Sequence, residues 1–246
     1  MSSEILHFEK APIVEALIGV DLEEMLGEDS LDLLGELGDR LGSSYSTRED
    51  IKMGEFELKL GVQPKQTETH IGYFFKSKDG LQVVQARRNG FGFSRLAPYQ
   101  SWETFAAEAK RTWTMYRPAI GPVKLTKWTV RYINKLSWPE GEPMEDYLRM
   151  YPHVPEDLPQ KLQGCYMRLG FPIDSPDSPQ GLLTQQLIAL PAEQPGKVAF
   201  QLDNEFTFSA IGLSDTSLWE QIDQARGIKN KFFLSSITDK TKETFK

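Results

Sequence analysis

Three polar residues interrupt strands that are otherwise apolar, and they are the first candidates for a site. Glu15 lies in the β-branched segment 13–20, while Arg131 and Asn134 lie in the segment 123–136. A charge inside a protein core must be paired or hydrogen-bonded, because its desolvation is costly. We therefore expect Glu15 to meet Arg131 in a buried pair, with Asn134 completing the hydrogen bonds. Such a group is either a fold-stabilising network or the base of a ligand pocket.

A basic hairpin at residues 81–96 is the second candidate. Three arginines lie in or beside its strands: Arg87, Arg88 and Arg95. Phe91 and Phe93 make the segment partly similar to an RNA-recognition motif, in which aromatic rings stack on bases and arginines hold phosphates. The match fails before the glycine, where Asn89 replaces a basic residue and forms a tight turn with Gly90. Because Phe91 and Phe93 share one strand face, we expect them in the core, which leaves the arginines on a solvated or partner-binding edge.

Residue types that support metal or nucleophilic chemistry are sparse. The three histidines (His7, His70 and His153) lie far apart, and none has another ligand at metal-binding spacing. The single cysteine, Cys165, has no neighbour in the sequence that would stabilise a thiolate. A phosphate-binding loop and the glycine-flanked serine of a nucleophile elbow are also missing. We therefore predict no metal, no cofactor and no catalytic residue, and favour a protein that is not an enzyme.

Length and composition restrict the class of protein. The 246 residues are 39% hydrophobic and include 14 Phe and 5 Trp, which is enough for a sizeable core in one large domain or two small ones. No apolar run is long enough for a membrane span, no secretory signal is evident, and a single cysteine fits the reducing cytoplasm. The net charge of −7 argues against a DNA-coating protein, although residues 61–120 are basic.

The predicted elements follow one order in both halves of the chain. Each half consists of a strand, a helix, four strands and a long helix, and Gly121-Pro122 marks the boundary. In the second half, the pattern predicts a short helix at 144–151 and separate strands at 197–202 and 205–211.

A local echo indicates that the two halves are repeats. Trp102-Glu103 and Trp219-Glu220 are 117 residues apart, and the same offset lays 13–20 over 130–137. The sequence therefore predicts an α+β fold of two tandem repeats, residues 1–121 and 122–246, packed as one body. Each antiparallel sheet would grip a long helix, as in helix-grip or TATA-binding-protein-like folds, with the first strands of the two halves side by side.

Short motifs spread along the whole chain carry a resemblance to a known family. They are Ala11-Pro12-Ile13-Val14-Glu15-Ala16, Arg131-Tyr132-Ile133-Asn134, Tyr99 with Trp102 and Phe105, Phe232 or Phe233, Ile237-Thr238-Asp239 and Phe245. As a set they resemble a sporadically distributed family of prokaryotic proteins of about 250 residues and unknown function. The family's last helix often has a histidine where this chain has Ala225-Arg226-Gly227, so no role for it is expected here. The resemblance implies no reaction, and its patchy distribution implies a mobile or defence-type gene neighbourhood.

Three functional hypotheses follow. The preferred one is a non-enzymatic binding or adaptor protein that docks a protein partner through its sheet edge or a helix face. The alternative is a small-molecule sensor or enzyme with a cleft between the repeats and with Glu15, Arg131 and Asn134 at its base. The second alternative is nucleic-acid binding through the hairpin 81–96, which would weaken steeply with salt.

Overall fold

The computed structural model describes residues 8–57, 65–155, 157–158, 164–174 and 179–246. These residues confirm the α+β class and the antiparallel sheet, whose nine strands have the order β2-β3-β4-β5-β1-β6-β9-β8-β7. The strands are β1 (Ile13–Leu22), β2 (Tyr45–Glu57), β3 (Lys65–Ser77), β4 (Gln82–Arg87), β5 (Gly90–Leu96), β6 (Leu125–Pro139), β7 (Tyr166–Ile173), β8 (Gly181–Leu190) and β9 (Lys197–Ser209).

The first strands of the two halves, β1 and β6, are neighbours at the centre of the sheet, as expected. Ile18 lies opposite Val130, and Leu17 lies opposite Arg131. Ala16 and Ile18 are fully buried, whereas Leu17 is only partly so. Because successive side chains of a strand point to opposite faces, this alternation means that the sheet has one covered face and one open face.

The helices lie on the covered face. They are α1 (Ser30–Gly35), α2 (Leu37–Leu41), α3 (Trp102–Ile120), α4 (Asp215–Ser236) and α5 (Asp239–Glu243). The side chains of Ser101 and Ser214 accept hydrogen bonds from backbone N–H groups in the first turns of α3 and α4, which fixes where both helices begin. Among the helices of the described residues, none has both the length and the apolar character needed to cross a membrane.

The aromatic residues of the basic hairpin belong to the core beneath α3. Phe91 and Phe93 have no exposed surface. The ring of Phe91 lies edge-on to Trp113 at 5.4 Å, and the ring of Phe93 lies 5.7 Å from that of Phe105. The prediction that both phenylalanines face the core is confirmed.

Two details of the predicted second half are wrong. Residues 197–202 and 205–211 are not separate strands, because Lys197–Ser209 is one strand. Asp203 and Asn204, which lie between the two predicted strands, are buried within it. Asp203 accepts hydrogen bonds from Arg131 of β6, and Asn204 Oδ1 accepts one from Gln185 of β8. The predicted helix at 144–151 is only a 3-10 turn, Met144–Asp146, after which Leu148 pairs with Ile237.

Candidate functional site

Arg131 forms its ion pair with Asp203 on the neighbouring strand β9. Its Nε donates to Asp203 Oδ1 at 2.9 Å and its Nη2 donates to Oδ2 at 2.5 Å, while a Glu205 oxygen lies 4.0 Å from Nε. Asp203 is only 1% exposed, so this bidentate pair satisfies a buried carboxylate. The hydrogen bonds to Asp203 are also the main reason that the pKa of Arg131 is raised above its ordinary value.

The predicted ion pair between Glu15 and Arg131 is not formed, although the charge of Glu15 contributes to the raised pKa of Arg131. Glu15 lies opposite Ile133 on the open face, and it is not within ion-pair distance of Arg131. Asn134 is three residues beyond Arg131 in the same strand, so strand alternation directs its side chain to the covered face. There Asn134 Nδ2 donates to the carbonyl of Leu202 at 3.2 Å.

The arginines of the hairpin bind mainly to the fold itself. Arg87 lies 3.3 Å from a carboxylate oxygen of Asp21. Arg88 is only 7% exposed and donates to the carbonyls of Leu26 and His70. Arg95 donates to the carbonyl of Pro98 at 3.3 Å. Of the three, Arg88 is the least accessible to a phosphate, because its burial and its two carbonyl partners hold it inside the protein.

The residues that could bind a metal or act as a nucleophile remain dispersed. Within the described ranges, no group of three or more His, Cys, Asp or Glu side chains is close enough to hold a metal ion, and His7 lies outside these ranges. His70 is 3.7 Å from Asp50. Burial raises the pKa of the Cys165 thiol, which therefore stays protonated at neutral pH.

A cavity of about 360 Å³ lies between the beginning of α3, the middle of α4 and the centre of the sheet. Both halves of the chain contribute to it. Its apolar lining includes Phe8, Ala11, Pro12, Ile13, Phe206, Phe233 and Leu234. Its polar lining includes Tyr99, Glu103, Tyr132, Asn134, Asn204, Arg226 and Lys229. Of the three residues predicted for a pocket, only Asn134 lines this one.

Lys229 is the least compensated charge of the cavity. Its Nζ lies 4.1 Å from the centre of the Tyr132 ring and donates to Asn230 Oδ1 at 2.7 Å. No carboxylate of the described residues forms an ion pair with it, whereas the neighbouring Arg226 is paired with Glu103 at 2.6 Å. Burial, followed by the positive charge of Arg226, lowers the pKa of Lys229 to about 7. Its amine therefore loses its proton much more readily than an ordinary lysine amine does.

Contacts between α3 and α4 hold the cavity walls together. Trp102 at the start of α3 donates from Nε1 to Asp223 Oδ1 in α4 at 2.7 Å, and the pair of Glu103 with Arg226 joins the same two helices. These contacts hold the first turn of α3 beside the helical turn that carries Arg226 and Lys229.

Two tyrosine hydroxyls form a hydrogen-bonded pair beside Lys229. The hydroxyls of Tyr99 and Tyr132 are 3.1 Å apart. Burial raises the pKa of Tyr99 to about 12 and raises that of Tyr132 well above its ordinary value, so both stay protonated at neutral pH. One hydroxyl donates to the other, so the pair has one hydroxyl hydrogen left to donate to an acceptor in the cavity.

Two buried amides complete the polar lining. Asn134 and Asn204 are each 2% exposed. Asn204 Oδ1 accepts from Gln185 Nε2 at 3.0 Å, and the same Nε2 donates to Ser236. Among the described residues, neither Asn134 Oδ1 nor Asn204 Nδ2 has a hydrogen-bond partner. The cavity thus offers an acceptor and a donor on otherwise fixed side chains.

The motifs that carry the family resemblance converge on this cavity. Pro12, Tyr99, Tyr132 and Phe233 come from four separate motifs and all line it, as does Arg226. Comparison of the chain with protein-family models and with curated proteins finds no match.

Lys229 was not among the residues predicted from the sequence, although the helical periodicity of α4 indicates it. Leu218, Ile222 and Ala225 form the buried stripe of α4. Helical periodicity puts position 229 on that stripe, one turn after Ala225, so Lys229 occupies a place where an apolar side chain is expected. Asp203 carries a similar signal, because it is a carboxylate inside the apolar strand β9.

Proposed function

We propose that the chain binds a small organic anion in the cavity between α3, α4 and the sheet. The observation that carries this proposal is Lys229, a partly buried cation that lines the cavity without a carboxylate partner among the described residues. A bound anion supplies the missing charge and favours the protonated amine. Arg226 and the positive end of the α3 dipole strengthen the attraction.

The shape and lining of the cavity support a small ligand. Its volume of about 360 Å³ lies within the range of small-molecule sites. Small-molecule sites combine apolar walls with convergent polar groups, and here Asn134, Asn204 and the Tyr99–Tyr132 pair supply polar groups beside the apolar lining. The cavity thus favours small-molecule binding over protein docking. The proposed binding residues are Lys229 and Tyr132 instead of the predicted Glu15 and Arg131.

Calorimetric titration in two buffers of different ionisation enthalpy tests this function. We expect lactate or succinate to bind with uptake of protons near pH 7, because the anion raises the pKa of Lys229, while uncharged glycerol does not bind. The titratable groups that line the cavity with Lys229 are Arg226, Glu103, Tyr99 and Tyr132.

The matched variants for this titration are Lys229→Met and Lys231→Met. Lys231 is exposed two residues further along α4 and does not line the cavity. Lys229→Met should abolish both binding and proton uptake, and Lys231→Met should change neither. Equal binding of the acids by Lys229→Met would refute the proposal.

The tandem repeat and the family membership are also proposals. The antiparallel pairing of β1 with β6, the sheet order on either side of that pair and the common face of α3 and α4 support a duplication of the helix-grip type. The convergence of the motifs on one cavity supports membership of the resembled family. Crystallographic superposition of residues 8–121 on 122–246 tests the duplication, which requires Trp102 and Trp219 to coincide.

Docking of a protein partner on the open face of the sheet is a second candidate function. It is supported by Tyr166 and Leu182, which are 63% and 47% exposed on the open face of the adjacent strands β7 and β8. Native mass spectrometry of the chain purified from its source should detect a complex that is lost when both residues are replaced by serine. Recovery of bare protein alone would count against this candidate.

A further inference from the structure

The amine of Lys229 has the surroundings of a nucleophile as well as those of a binding group. It lines the cavity above the Tyr132 ring, and Arg226 lies three residues earlier in α4, on a neighbouring part of the same helix face. A lysine amine becomes nucleophilic when it is desolvated or lies beside another cation, because both conditions favour its unprotonated form. Lys229 meets both conditions.

The groups around Lys229 match the two ends of a small oxo acid. Arg226 uses Nη1 for Glu103, and its other nitrogens donate to no described residue, so the guanidinium retains donors for a carboxylate. The hydrogen-bonded pair of Tyr99 and Tyr132 retains one hydroxyl hydrogen that can donate to a carbonyl oxygen. Cationic and neutral donors therefore line one cavity together with the amine.

We propose that Lys229 captures the carbonyl group of a small oxo acid as a reversible imine, while Arg226 and the first turn of α3 hold the carboxylate of that acid. This inference rests on the anion-binding function proposed above. It adds the class of ligand and a covalent step.

The step balances without an oxidant or a further cofactor. The lone pair of Nζ forms a bond to the carbonyl carbon, and the carbonyl π electrons move to oxygen, which takes up a proton. Nζ then loses a proton to solvent, which gives a carbinolamine. Protonation of the carbinolamine hydroxyl lets it leave as water while the nitrogen lone pair forms the C=N bond. Addition of water reverses the sequence and restores the free amine and the oxo acid.

Reductive trapping of the full chain tests the proposal. The protein is incubated with pyruvate and cyanoborohydride at pH 7, and the modified lysine is located by peptide mass mapping. We expect a saturable adduct on Lys229 that forms at least about tenfold faster than any adduct on the exposed Lys231, because the cavity holds the acid beside Lys229 and burial lowers the pKa of its amine. Lactate has the same carboxylate without the carbonyl, and it should compete with pyruvate without forming an adduct.

Two variants and one further probe complete the design. Lys229→Arg keeps the positive charge but lacks the primary amine, so it should still bind lactate and yield no adduct at this position. Arg226→Gln should slow the trapping of pyruvate, because it removes both the carboxylate partner and the charge that favours the neutral amine. Acetaldehyde lacks the carboxylate, so its preference for Lys229 over Lys231 should be smaller than that of pyruvate.

The outcomes separate this proposal from the binding function on which it rests. If lactate binds with proton uptake but pyruvate leaves no adduct on Lys229, imine formation is refuted and anion binding stands. If neither acid binds, the anion-binding function fails, and the imine proposal fails with it. Labelling by pyruvate that is spread evenly over exposed lysines, or an equal preference of acetaldehyde and pyruvate for Lys229 over Lys231, also overturns the oxo-acid proposal.

Discussion

Replacement of Lys229 by methionine should make the protein more stable, by an amount that depends on pH. The folded state lowers the pKa of Lys229 from its ordinary 10.5 to about 7, so the unfolded chain binds more protons between these two values. The stability of the wild-type chain therefore rises with pH through this window, as far as Lys229 contributes. Below pH 7 the full cost of burying the ammonium is present, and methionine removes that cost.

The magnitude follows from the two pKa values. One pKa unit corresponds to about 1.4 kcal/mol, so the advantage of Lys229→Met over wild type should shrink by up to about 5 kcal/mol from pH 6 to above pH 10. At pH 6 the gain is offset by the lost contact of the ammonium with the Tyr132 ring, about 1–2 kcal/mol, and by the lost bond to Asn230, about 1 kcal/mol. A net gain of about 2 kcal/mol at pH 6 remains.

Urea unfolding of both proteins at several pH values from 6 to 10 measures this difference. Groups that titrate identically in the two proteins do not contribute to the difference in the free energy of unfolding. As a control, Lys231→Met at the exposed position should differ from wild type by a free energy of unfolding that does not change with pH. The reasoning is refuted if the difference for Lys229→Met is also flat within about 0.5 kcal/mol, or if this variant is the less stable protein at pH 6.

Two further variants test the sheet. Arg131→Met leaves the buried carboxylate of Asp203 without its partner and should cost about 3–5 kcal/mol in urea unfolding, most of which the double variant with Asp203→Leu should recover. A cost below about 1 kcal/mol would contradict the ion pair. Gly72→Ala should lower the melting temperature strongly, since φ at Gly72 is 152° and a Cβ there would lie 2.0 Å from the carbonyl oxygen of Ala86. Gly54→Ala, with nothing within 4 Å, is its control, and equal melting of the two variants would disprove the clash.

The strands, hairpins and helix starts were predictable because their signals are local. The β-branched, apolar segment 13–20 predicted β1, and a cap at Ser214 or Asp215 predicted where α4 begins. The prediction of two separate strands in place of β9 was wrong, because the contacts that decide this segment are not local in the sequence. Asp203 and Asn204 resemble a turn when only their neighbours in the sequence are considered, and partners from β6 and β8 keep them inside a strand.

The candidate site was predictable only in part. The argument that Arg131 needs a buried partner was correct, but Asp203 is that partner, because strand register brings Asp203 beside it. Asn134 lines the cavity as part of a different group from the one expected. Lys229 was not predicted, because a lysine on the apolar stripe of a helix can either bury its amine or extend it into water. The neighbouring residues in the sequence do not distinguish these two cases.

Local physical chemistry therefore decides which segments become strands and helices, which side chains alternate into the core and which charges require a partner. Only the tertiary structure decides which residues become the partners of these charges. The polar groups around Lys229 come from β6, β9 and the start of α3, more than 20 residues away in the chain at the least and more than 120 at the most. Their meeting depends on the sheet order and on the packing of α3 against α4, and pairings over such distances leave no trace in the sequence around any one residue.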